Sequence, residues 1–358
     1  MKHFIPSLII LSALLTTFSS PGQALTRRPA KVAVIQATGS PRQDPFLKTY
    51  DPAKVRPMME AHLKKLLRLL ERAGEMKADI VCGPEDMQNI GAYGLYIDVR
   101  DSASGEELFN SLAEPVPGPL TGRISIIARK YGMYIVAPIY EREGGKVYNS
   151  AVIFDREGKI IGKHHKTHLP ILETWDVERG DVYEVFETDF ASIAVATCFE
   201  IVYPEISTIY ALKGADIIFH PTMGRENKEG QSLATGHRYL TRAADNLVYV
   251  APIILGTDGC GIIDFKGNVI AEAVGARDTV IMAEIDFSKE PVTESKWWTT
   301  INGTDNDRAI HYLTRRPEIY NLLTNPSPPL LERYRDVRLT TGDREKQLKA
   351  VKAVNYGP

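Results

Sequence analysis

Three residues have the types and settings that bond-breaking chemistry needs: Glu85, Lys166 and Cys198. Cys198 ends the apolar run ASIAVAT and opens the more polar stretch CFEIVYPE. A thiol at the end of a buried strand is held rigidly, yet it faces a crevice. A helix start beside it supplies backbone N–H groups and positive potential, which favour thiolate and oxyanion. Position alone fits an inert buried cysteine equally well. Glu85 follows another apolar run, DIVC, across Gly83-Pro84. The scaffold aims a carboxylate placed there, and a partly desolvated carboxylate suits a base working near neutral pH. Taken singly, a helix-capping or surface role fits it better. Lys166 lies in KHHKTHLP, after a strand-like run. An ammonium beside a reacting carbonyl stabilises developing negative charge, although an arbitrary lysine at a strand end is simply solvated.

Histidines crowd that lysine: His164, His165 and His168. No carboxylate or cysteine stands at matching spacing, and neighbours on a strand point to opposite faces. The expectation is therefore no metal site.

The elements that must hold these residues mix strand and helix throughout. Lys31–Gln36 reads as a buried strand, and Ala53–Met76 as a long amphipathic helix. Asp79–Cys82 is a short strand closed by Gly83-Pro84. A helix over Leu120–Tyr131 precedes strands at Tyr134–Tyr140, Tyr148–Asp155 and Lys159–His165, joined by tight glycine turns. Ala191–Thr197 is a strand, Pro204–Lys213 a helix, and Asp216–His220 a strand closed by Pro221. Leu233–Asp245 reads as one amphipathic helix, and Val248–Ile253 as a strand. A hairpin, Gly261–Phe265 with Val269–Val274, leads to a last strand, Val280–Ile285. An irregular extension with one or two helices follows. Such a pattern suggests an α/β fold of two sheet layers with helices outside.

Composition is that of an ordinary globular protein, 44% hydrophobic and 25% charged over 358 residues. The formal net charge of -2 gives no excess that would draw the chain to nucleic acid or acidic lipid. A small molecule is the expected partner. Lys2 and His3, the apolar run Phe4–Phe18, and small residues ending at Gly22 and Ala24 read as a signal peptide cut near Ala24. The protein is thus expected to be exported, periplasmic or secreted. Of three cysteines, Cys82, Cys198 and Cys260, at least one stays unpaired within the chain.

Together the three motifs resemble one family. The order Glu, Lys, Cys, each at a strand end, is similar to the nitrilase superfamily of carbon–nitrogen hydrolases. GPED around Glu85, GKHHKTHLP around Lys166 and TCFEIVYPE around Cys198 match its three signature segments. VAVIQA, YNSAVIFDREGKIIGKHHK, GADIIFHPT and TRAADNLVYV agree with it too, over about residues 31 to 287. The resemblance implies an αββα sandwich subunit, usually pairing as an αββα–αββα dimer. Its domain plan is a signal peptide at 1–24, the hydrolase domain at 25–287 and a C-terminal extension at 288–358. It implies Cys198 as nucleophile, Glu85 as base, and Lys166 with the Phe199 backbone N–H as oxyanion donors. A thioester intermediate and no cofactor follow from the same scheme. Glu173, seven residues past Lys166, is the expected second glutamate, with Glu178 a weaker candidate.

Substrate choice is less legible. Relatives that cut N-carbamoyl amino acids often place arginine three or four residues after the cysteine. Ile201 and Val202 stand there, so that carboxylate clamp is missing, although Arg225 or Arg238 could replace it. A linear amide is favoured, with N-carbamoyl amine or nitrile hydrolysis as alternatives and an inactive binding protein as a distant one. Trp175 and His220 are expected substrate contacts, and Tyr93 and Tyr96 are weaker ones. Trp298 and Tyr320 in the extension are expected at an interface between copies.

Overall fold

The computed structural model describes residues 26–39, 51–92, 108–224, 230–256 and 258–337, with 346, 349 and 353 singly. The expected signal segment, Tyr93, Tyr96 and Arg225 lie outside the described residues. In chain order the strands are β1 (Pro29–Gln36), β2 (Ile80–Cys82), β3 (Tyr134–Glu143), β4 (Lys146–Phe154), β5 (Ile160–His165) and β6 (Val185–Glu187). Then come β7 (Ser192–Val195), β8 (Ile217–Thr222), β9 (Tyr249–Ile254), β10 (Gly261–Ile263), β11 (Val269–Glu272) and β12 (Thr279–Asp286). The helices are α1 (Pro52–Glu75), α2 (Leu108–Leu112), α3 (Pro119–Tyr131), α4 (Pro204–Leu212), α5 (Arg238–Asn246), α6 (Lys296–Asn302) and α7 (Asp307–Leu313).

The strands form two six-stranded sheets, ordered β12-β1-β2-β3-β4-β5 and β11-β10-β9-β8-β7-β6. Period-two alternation decides which side chains meet what. Val32 and Val34 of β1, Val136 of β3 and Ile153 of β4 pack with Ile193 and Ile217 of the second sheet. Their neighbours Ala33, Ile35, Ile135 and Val152 pack instead on Leu66 and Leu70 of α1 and Ile124 of α3. The sheets therefore face one another through a shared apolar core, with α1 and α3 covering one outer face. Ile206 and Tyr210 of α4 and Tyr239 and Ala243 of α5 close the other. This is the expected αββα arrangement.

Two local readings need correction. β8 does not stop at Pro221; it runs to Thr222, with Pro221 opposite Ile253 of β9. The Phe219 carbonyl accepts from Ala196, on the β7 side. Backbone groups two residues on face that same side, and β7 has already ended at Val195. The missing proline N–H thus leaves no ladder bond unmade. The helix expected over Leu233–Asp245 is split. Ser232 caps a single turn at Leu233–Thr235, Gly236 closes it, and α5 starts afresh at Arg238. The three-residue strand β6 had no sequence signal, being too short to show a period.

The extension packs back on the second sheet's end. Arg308 of α7 donates to the Ala215 carbonyl at 2.5 Å and meets Asp216 at 3.2 Å. The Tyr312 hydroxyl donates to the Asn246 carbonyl at 3.0 Å. Among the described residues no helix is long and apolar enough to cross a membrane.

Topology also fixes where a site can form. β1, β2 and β3 run parallel, as do β7, β8 and β9. β4 reverses and β5 reverses again, so β2 and β5 end on the same side of their sheet. Glu85 and Lys166 follow those two ends. The loop after Lys166 returns close to it: the Gly180 amide donates to the Lys166 carbonyl at 2.9 Å. A Cβ at Gly180 would stand 2.2 Å from the His165 carbonyl oxygen, so only glycine closes this stem.

Candidate active site

Glu85 and Lys166 come together as the sheet ends require. The Lys166 ammonium lies 3.1 Å from Glu85 Oε1 and 2.6 Å from Glu173 Oε2. All three side chains are buried, with Lys166 only 1% exposed. Burial alone would discharge the lysine. The facing carboxylates Glu85 and Glu173 outweigh it and hold the ammonium well above its ordinary value, so it is a permanent cation. Glu173 sits on the turn Ile171–Trp175, directly after the lysine segment. Glu178 is elsewhere, on the surface with Lys146 at 2.7 Å. The second Glu85 oxygen, Oε2, accepts the Met223 amide at 2.7 Å from just beyond β8. That bond ties the end of one sheet to the end of the other.

Cys198 opens the single turn Cys198–Val202 after β7, with a φ of 51°. A non-glycine residue adopts this left-handed conformation rarely and at a cost of about 1–3 kcal/mol. The surroundings hold it there. Glu200 Oε2 accepts the Thr197 amide at 2.6 Å. Arg242 of α5 donates to the carbonyls of Ile201 and Val202 at 3.2 and 3.1 Å. Burial pushes the Cys198 thiol up to about 11, and Glu85 adds to the rise; Lys166 and the Thr222 hydroxyl oppose it. The resting group is therefore a neutral thiol. The Phe199 amide is one of the first in this turn, where amides lack a carbonyl partner within the turn.

Glu200 links the Cys198 turn to the lysine. Its carboxylate accepts the Thr167 amide at 2.9 Å, the Thr167 hydroxyl at 2.7 Å and the His164 ring at 2.9 Å. Residues adjoining Cys198 and Lys166 thus share one buried anion. Trp175 is half-buried and ends the turn that carries Glu173. His220 is buried on β8, with Nδ1 2.6 Å from the Ala196 carbonyl and its ring against Tyr239. Burial pushes His220 down to about 4, so it is neutral.

The other histidines near Lys166 have partners, with His168 Nδ1 2.9 Å from the Thr167 hydroxyl. His165 lies 2.8 Å from Glu141, and Glu143 completes a set of possible metal donors with them. The Lys163 ammonium already occupies the cation position, 2.5 Å from Glu141 and 2.9 Å from Glu143. Sequence reasoning missed Asn149, Glu200, Thr222, Arg242 and the Met223 amide. Two of them carried a signal. Asn149 is a polar residue inside an apolar strand, and Glu200 stands two residues past the thiol.

Residues 31–290 match the carbon-nitrogen hydrolase family. The chain belongs to that family. It resembles omega-amidase NIT2 of Xenopus tropicalis, with 30% identity over 255 residues, 65% of this chain and 86% of the relative. Citrullinase of Francisella tularensis is 27% identical over 286 residues, 73% and 91% of the two chains. The bifunctional nitrilase/nitrile hydratase NIT4B of Lupinus angustifolius is 36% identical over 300 residues, 75% and 82%. In fold, this carbon-nitrogen hydrolase is similar to the solved NitN amidase of Neterenkonia sp. AN1, with a TM-score of 0.58 and 19% identity, covering 82% of this chain and 98% of that one.

Glu200 yields a test of how the site is held. Burial opposes its charge, but His164 and the Thr167 donors hold its carboxyl below the ordinary 4.5. The group stabilises the fold where unfolded glutamates are already ionised. That contribution fades as pH falls through its lower folded value. Glu200→Gln should lower stability at pH 7 by about 3–5 kcal/mol. The gap to wild type should narrow in acid, and melting curves from pH 7 down to pH 3 read both effects.

Proposed function

We propose that this hydrolase cleaves a linear, non-peptide amide through a thioester on Cys198. The observation that carries the reading is the buried Lys166 ammonium shared by Glu85 and Glu173 beside a strained, neutral thiol. Glu85 takes the thiol proton as sulfur attacks the carbonyl carbon. Lys166 and the Phe199 amide face the oxyanion. The tetrahedral adduct collapses, Glu85 returns the proton to nitrogen, and ammonia or amine leaves. Water then gives a proton to Glu85 and its hydroxide to the thioester carbon. The carboxylic acid departs and the thiol is restored. Glu173 holds the lysine charge in place throughout. Trp175 and His220 belong to the pocket side of this site in the proposal.

A nitrile substrate is the second reading, favoured by the likeness to NIT4B. An N-carbamoyl amine is the third, favoured by the likeness to citrullinase. The apolar Ile201 and Val202, whose carbonyls take the Arg242 guanidinium, offer no cation to a substrate carboxylate at those positions.

Export and self-association complete the proposal. The basic and apolar residues before Ala24 support a cleaved signal peptide. The extension carries exposed apolar side chains, among them Trp297, Ile301, Leu313 and Leu323, with Leu313 83% exposed. Large exposed apolar surface marks an interaction site, and a second copy of this chain is the proposed occupant. Trp298, stacked on Trp297, and Tyr320 lie in the same segment.

Ammonia release from a panel of primary amides, secondary amides, N-carbamoyl compounds and nitriles tests the chemistry. Amides should turn over best. Cys198→Ala should be inactive yet folded, and Lys166→Ala should lose at least about 100-fold in kcat. An active Cys198→Ala protein would sink the mechanism. Light scattering should give a mass of two or more chains, and a monomer at micromolar concentration would refute self-association. N-terminal sequencing of the exported protein should begin at Leu25, whereas an intact Met1 would refute cleavage.

A further inference from the structure

The anions of the site outnumber its cations. Glu85 and Glu173 both face Lys166, and no other described side chain that donates to either is charged. Asp86 adjoins Glu85, but burial pushes it up to about 8 despite the amides of Ile90 and Gly91, so it adds little charge at neutral pH. The other ionisable groups facing Glu85 are Cys198 from the turn after β7 and His220 from β8. Neither carries positive charge at rest. Two buried carboxylates about one ammonium need further donors.

Asn149 supplies them. It lies on β4 opposite Tyr140 of β3. Its Nδ2 group donates one hydrogen to Glu85 Oε1 at 2.8 Å and the other to Glu173 Oε1 at 2.9 Å. A turned amide would set its oxygen against both carboxylates, so the orientation is fixed. The consequence is visible at the other end: Asn149 Oδ1 is buried without a hydrogen-bond partner. An amide kept for stability alone would satisfy both ends, because a buried orphan acceptor costs about 1–3 kcal/mol. The Asn149 main-chain carbonyl also accepts the Lys166 amide at 2.9 Å. One residue therefore sets the lysine backbone and bridges both of the lysine's counter-ions.

We infer that Asn149 is a positioning residue for this chemistry, aiming Glu85 at the Cys198 thiol while it spreads the two carboxylates about Lys166. The inference rests on the proposed role of Glu85 as base. Without the bridge, Glu85 Oε1 loses the donor that fixes it and the carboxylate is free to turn from the thiol.

Alkylation of Cys198 by iodoacetamide tests this without knowledge of the substrate, in the full chain and across pH 4 to 9. Cys82 and Cys260 are buried, so intact mass and peptide mapping report Cys198. In wild type a base beside the thiol should make the rate rise much less than tenfold per pH unit. In Asn149→Ala the rate should climb more steeply with pH, with at least about a tenfold loss at pH 7. Asn149→Asp, nearly the same shape but a third carboxylate, should be slower still at pH 7. Melting curves show whether the variants are folded, and rates are taken on folded protein. Asn149→Ala with the wild-type pH profile would overturn the positioning role while leaving the hydrolytic reading intact. A wild-type rate that rises about tenfold per pH unit through neutrality would show thiol ionisation alone. In that case Glu85 is not the base, and both readings fall.

Discussion

One buried ammonium held between two carboxylates organises the candidate site and much of the architecture around it. Removing Lys166, Glu85 and Glu173 from water is expensive, by several kcal/mol for each ion. Their mutual distances of 2.6 and 3.1 Å offset that only if every remaining lone pair and proton is met. The structure meets them from four directions: Asn149 on β4, Tyr140 on β3, the Met223 amide past β8, and the turn that carries Glu173. The result is a rigid charge pattern that exists before any substrate arrives. Catalysis by pre-set dipoles and charges depends on that kind of pattern.

A second constraint acts on Cys198. Cys198 is held in a left-handed turn at the end of a short, fully buried strand. Glu200 prevents relaxation by binding the residue before the thiol and the residue after the lysine. Strain at the sulfur and charge at the lysine are therefore not independent features. A shift of either turn moves the other through one carboxylate. Arg242 fixes the far end of the same turn from α5, so the outer helix layer also bears on the sulfur.

The two sheets explain why such a site can exist at all. Each provides parallel strands ending on one side, and their facing cores hold those ends together. Glu85 comes from one sheet and Cys198 from the other, while Met223 bonds across the gap. Neither sheet alone could place an acceptor, a cation and a thiol around one carbonyl carbon. The surface extension is a separate matter. It anchors through Arg308 and Tyr312 and leaves its apolar side chains outward.

The strand ends at Glu85, Lys166 and Cys198 could be read from the chain, because burial and period are local properties of sequence. So could the two layers of sheet and the outer helices, while Glu173 came only through the family resemblance. Pro221 misled, because a proline breaks a strand only where its backbone faces a partner, and the end of β7 is not local information. The split at Gly236 depended on a cap that competes with helical period. Asn149 and Glu200 sat within segments whose family likeness was plain. Their roles were not, because each acts by joining residues 24 to 64 positions away in sequence. Residue types fixed which groups could be acid, base or nucleophile. Only tertiary structure decided which of them share a buried charge, since that depends on distances of about 3 Å between chain ends that sequence order leaves far apart.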